Sequence, residues 1–196
     1  EKYDYKDKKN ILSNNTVKKI NSFLSVLKVK KKDEGISSFD ISEKQKCFIV
    51  KVQNKYESYS PEESGGAFFS YLEKFKDIST VNLYADSLSF DNERLVSFFS
   101  EFIFGINLKS YTFNKYKTLN KEKINKKISF KIITSNKEKI EKKYKYYDAI
   151  KEGIFFARNL VSEPPNVLTT NAYMQEIKKL SKIGLKINVY KEKELK

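Results

Sequence analysis

The 196-residue sequence predicts an α/β protein: a mixed sheet flanked by helices in three layers, then a long helix, then the opening elements of a second α/β domain. Three observations predict it. Between residues 47 and 134, segments with helical apolar spacing alternate with short strand-like segments. A long helical pattern follows at 138–161 and stops at Pro164-Pro165. Past the prolines, a helix and a strand begin again.

Residues 1–46 are lysine-rich with weak periodicity, but 14–29 carry a helical stripe of Val17, Ile20, Phe23, Leu24 and Leu27. Residues 30–34 read as a solvated loop. Cys47 to Val52 is a short apolar run, read as a buried strand, with Cys47 as a core thiol and not a nucleophile. Ser60-Pro61-Glu62-Glu63 is a helix start, with serine at the cap, proline at the first helical position and glutamate three residues after the cap. The helix then places Ala67, Phe68, Tyr71, Leu72 and Phe75 on one side. Gly65-Gly66 weakens it, and close packing against a sheet is the expected compensation. Ser64-Gly65-Gly66 is a poor phosphate loop, because it lies inside the helix and not ahead of it.

Residues 80–85 alternate as a strand. Asp91 is a suitable cap for a helix over 92–106 whose apolar set is Leu95, Val96, Phe98, Phe99, Phe102, Ile103 and Ile106. A lysine-rich turn follows Thr118, and residues 128–134 form another alternating strand. The long helix carries Ile150, Gly153, Ile154, Ala157, Leu160 and Val161 on its later apolar side. The next helix is expected at 172–182, capped by Thr170 or Asn171 and ended by Gly184, with a strand at 185–190.

Composition removes several chemistries. Hydrophobic residues make up 39% and aromatics 14%, enough for a packed core. Cys47 is the only cysteine, which excludes an internal disulfide and fits a reducing cytoplasm. Histidine is absent, so serine–histidine and cysteine–histidine nucleophiles and histidine metal ligands are excluded. Catalysis would rest on carboxylates, lysine or tyrosine. Asp86, Asp91, Glu93 and Glu101 could be imagined as a carboxylate cluster, but caps and solvated helix faces account for them better. No apolar run reaches the ~20 residues of a membrane helix. The only methionine is Met174, so the chain is expected to be a fragment or a processed form.

The net charge is +14, from 39 basic and 25 acidic residues. A phosphate-bearing partner such as nucleic acid is one reading. Against it, Arg94 and Arg158 are the only arginines, and arginine is the preferred fork for phosphates and base edges. The abundance of Asn, Ile, Lys, Phe and Tyr together favours compositional drift.

The helix-end stretch runs Ala149-Ile150-Lys151-Glu152-Gly153-Ile154-Phe155-Phe156-Ala157-Arg158-Asn159-Leu160-Val161-Ser162-Glu163-Pro164-Pro165-Asn166-Val167-Leu168-Thr169. With Gly184-Leu185-Lys186-Ile187-Asn188-Val189-Tyr190 and Lys193-Glu194-Leu195, it resembles the leucyl aminopeptidase (cytosol aminopeptidase) family. Upstream, Tyr111-Thr112-Phe113-Asn114-Lys115-Tyr116-Lys117-Thr118 is similar to another segment of that family. Ser162, Pro165 and Thr170 depart from the pattern, where Asn, a small residue and proline are usual.

The resemblance implies an amino-terminal macro-like domain over 1–137, a linker helix over 138–163 and a truncated start of the catalytic domain over 164–196. It implies a cytoplasmic, hexameric parent in which two divalent metals, manganese or zinc, act in a catalytic domain that lies downstream. On that reading no catalytic, metal or cofactor-binding residue lies in this chain, which would by itself hydrolyse nothing. Its partners would be its own catalytic domain and other subunits, with peptide bound only alongside that domain and no membrane. Fold analogy also raises nucleotide or ADP-ribose binding, but no glycine-rich loop joins a strand to a helix start.

Overall fold

The computed structural model describes residues 5, 7, 10–30, 35–52, 60–88, 90–118 and 127–194. The loop expected at 30–34, the lysine-rich turn after Thr118 and the end of the tail at Leu195 fall wholly or mostly outside them. The chain divides into two compact units, Glu1–Ala149 and Ile150–Lys196.

The first unit opens with helix α1 (Asn14–Lys30). Ser13 begins it by accepting the Thr16 amide at 3.2 Å. The stripe expected from the sequence is buried or half-buried, with Ile20 8% exposed and the Phe23 ring stacked on Phe39 at 4.6 Å. Strands β1 (Ile36–Ser42) and β2 (Gln45–Val50) form an antiparallel hairpin with Phe39 opposite Cys47 and a bulge between Asp40 and Ser42. β2 is half-buried, not fully buried, because its only described ladder partner is β1.

Helix α2 (Pro61–Leu72) starts where the Ser60-Pro61 signal places it, and the Ser60 hydroxyl accepts the Glu63 amide at 3.4 Å. Its buried face is Pro61, Ser64, Gly65, Phe68 and Leu72. Ala67 is exposed, which corrects the face expected for it; Phe75 lies past the helix end, but its ring packs against Tyr71 at 5.6 Å and Phe48 at 5.4 Å, on the side expected. The glycines pack against a helix, not a sheet. A Cβ on Gly65 would lie closer than 3.0 Å to the Phe102 carbonyl, and one on Gly105 equally close to that of Glu62. The backbones of α2 and helix α3 (Asn92–Lys109) therefore touch where they cross.

Asp91 caps α3 by accepting the Arg94 amide at 2.8 Å. Every apolar residue expected on its inner face is buried or packs on the core. Strands β3 (Thr80–Tyr84) and β4 (Ser129–Ile133) pair in parallel, with Thr80 opposite Ser129 and Tyr84 opposite Ile133. A parallel pair needs a crossover, and α3 lies in the chain between the two strands. One core gathers Phe68, Leu72, Val81, Leu83, Phe98, Phe99, Phe102, Ile106 and Ile140. Phe48 and Val50 of the hairpin pack onto it.

The α/β class is borne out. The described strands make two separate two-stranded sheets, where the sequence led to one mixed sheet. The hairpin joins the core through side chains and shares no described ladder with β3 or β4.

Helix α4 (Lys137–Ser162) begins in the first unit, anchored by Ile140 at 1% exposure. Tyr147 meets Phe104 at 5.3 Å between ring centroids, and the Tyr144 hydroxyl accepts from the Asn107 amide at 2.7 Å.

In the second unit α4 ends at Ser162, and Pro164 accepts the Val167 and Leu168 amides at 2.9 Å each. Helix α5 (Thr170–Lys178) is capped by Thr169, which accepts the Ala172 amide at 3.3 Å. That replaces the cap expected at Thr170 or Asn171, which are themselves helical. A 3₁₀ turn (Lys179–Ile183) follows and ends at Gly184, whose φ of 93° is the left-handed geometry that favours glycine. The strand expected at 185–190 does not form. Alternation gives a strand its faces, but a ladder needs a partner, and none is described beside it. No described residue of this unit is buried.

Candidate functional site

Open α/β sheets take ligands beyond the carboxyl ends of parallel strands, so the ends of β3 and β4 are the first place to look. A short 3₁₀ turn (Ala85–Ser87) follows β3 and brings Asp86 over the end of β4. The Asp86 carboxylate accepts the Thr134 hydroxyl at 2.9 Å and the Ser135 amide at 3.1 Å. The Thr134 oxygen in turn accepts the Asn136 amide at 3.1 Å, and the Asn136 side chain donates to Asn92 at 3.0 Å. This cluster ties the two strand ends to the starts of α3 and α4. Its polar atoms are used on each other, as in a structural buckle.

The other acidic candidates are separately engaged. Asp91 caps α3, and Glu93 lies in its first turn, where a carboxylate favours the helix dipole. Glu101 accepts the Tyr147 hydroxyl at 3.2 Å. Among the described residues, no three carboxylates or thiols come together as a metal ion would need.

Cys47 is half-buried, and burial pushes its thiol up to about 11. It stays protonated at neutral pH, the opposite of what a nucleophilic cysteine requires. The Tyr5 phenol is also raised, first by burial and then by the Asp7 charge. The main chain of Tyr5 is bracketed by Asn21, which accepts its N–H at 2.8 Å and donates to its carbonyl at 3.0 Å.

The Ser64-Gly65-Gly66 stretch lies within α2, where Ser64 donates to the Ser60 carbonyl at 3.1 Å and the glycines serve helix packing. Arg94 lies over the Phe90 ring at 4.1 Å, so one of the two arginines stacks on an aromatic side chain. The 111–118 segment is irregular, with Phe113 against Tyr116 at 5.8 Å and Lys115 over the Tyr116 ring. Sequence reasoning missed the bonds from Tyr144 and Tyr147 to α3. Tyrosines in a run of lysines and glutamates read as a solvated face until the partner helix is known.

No helix among the described residues is long and apolar enough to cross a membrane. No family model and no solved structure matches the chain. Curated proteins do. A probable cytosol aminopeptidase of Agrobacterium fabrum is 34% identical over 125 residues, 62% of this chain and 25% of that protein. One of Brucella anthropi is 34% identical over 136 residues, 67% of this chain and 26% of that protein. One of Phytoplasma mali is 33% identical over 137 residues, 68% and 27% respectively. The chain thus spans about a quarter of the length of these relatives.

Proposed function

We propose that this chain is the amino-terminal, non-catalytic region of a leucyl aminopeptidase of the cytosol type. The observation that carries the proposal is the similarity of two thirds of the chain to probable cytosol aminopeptidases about four times as long as the matched region. In this reading, residues 1–137 are a macro-like domain, 138–163 a linker helix and 164–196 the opening of the catalytic domain. The parent is a cytoplasmic hexamer that removes amino-terminal residues from peptides. Its two divalent metals, manganese or zinc, supply an activated water and a polarised scissile carbonyl. None of the residues described above is assigned to those metals. The role of this region is packing and assembly.

Two features support the reading. In the first unit Asp91 caps a helix, Asp86 ties two strand ends together and Glu101 bonds the neighbouring helix. The second unit leaves apolar side chains uncovered, with Val161 87%, Ile183 75% and Leu185 53% exposed. A catalytic domain continuing from this unit would cover them.

Two measurements test the proposal. The chain of residues 1–196, assayed with a leucine anilide and manganese, turns over no faster than metal alone; faster turnover refutes the non-catalytic role. A chimera carrying residues 1–196 in place of the matching region of the Phytoplasma mali relative keeps that protein's soluble assembly. A chimera that aggregates while the intact relative assembles refutes the packing role.

A further inference from the structure

We draw no further inference here: the strongest candidate, the uncovered apolar surface of the unit Ile150–Lys196 around Ile183 and Leu185, carries nothing beyond the reading proposed above, because nothing in the structure shows what covers it.

Discussion

Adjacent glycines in α2 should respond to the same substitution with opposite signs. At Gly65 an added methyl group meets the Phe102 carbonyl and the Ile106 amide of α3, all backbone atoms that cannot rotate away. The helices must separate, and overpacking of this kind costs about 3 kcal/mol. Replacing a mid-helix glycine by alanine returns about 1 kcal/mol of helix propensity. The net loss for Gly65→Ala is therefore about 2 kcal/mol. At Gly66 the nearest atom is the Gly105 carbonyl at 3.8 Å, an ordinary contact. Gly66→Ala should keep the propensity gain and stabilise by about 1 kcal/mol. Thermal unfolding followed by circular dichroism reads both, since 1 kcal/mol moves the midpoint of a domain this size by about 4 °C. Gly65→Ala is expected to melt about 8 °C below the parent and Gly66→Ala about 4 °C above it. A Gly65→Ala protein as stable as its parent would refute backbone contact between α2 and α3.

Three further outcomes follow from the same structure. Asp91→Ala removes the side-chain cap of α3 and should lower stability by about 1 kcal/mol in urea unfolding, whereas Asp91→Ser should restore most of it. Alkylation of Cys47 in the native chain should keep accelerating up to about pH 11, while in urea it levels off near the ordinary thiol value of 9.0; a native profile that levels off near 9 would contradict its burial. Because the folded pKa is the higher one, this thiol's contribution to stability is complete below pH 9 and is lost as pH rises toward 11. Titration of a labelled duplex should show attraction at low salt that vanishes by physiological salt, as compositional charge requires; binding that persists would point to a dedicated nucleic-acid surface.

Local signals were legible where a few neighbouring residues decide the conformation. Ser60-Pro61 fixes the start of α2, because a hydroxyl three residues before an amide can cap it and proline needs no donor there. Asp91 and the run of phenylalanines define α3, and Pro164-Pro165 stops the long helix. Asp91 was legible as a cap through its place ahead of an apolar run, and Glu93 as a first-turn group. Asp86 and Glu101 were expected to be caps or solvated helix faces, and instead Asp86 holds Thr134 and Ser135 and Glu101 holds Tyr147, partners 46 or more residues away. β1 was not legible. Ile36, Phe39 and Ile41 break strict alternation, and the connection at Glu43-Lys44 lacks the glycine or asparagine that marks tight hairpins. The cap at Thr169 was missed because three successive residues, Thr169, Thr170 and Asn171, are all suitable types.

The sequence by itself determined which segments are helical, where most of them begin and stop, and which side chains are apolar enough to enter a core. Only the tertiary structure decided that β3 and β4 run in parallel, that the hairpin packs on their core without a described ladder to either, and that Gly65 and Gly105 bring two helices into backbone contact. Caps and periodicity act through hydrogen bonds and rotations within a turn or two of the chain. Strand pairing and helix crossing depend on partners tens of residues away, whose placement no local pattern encodes.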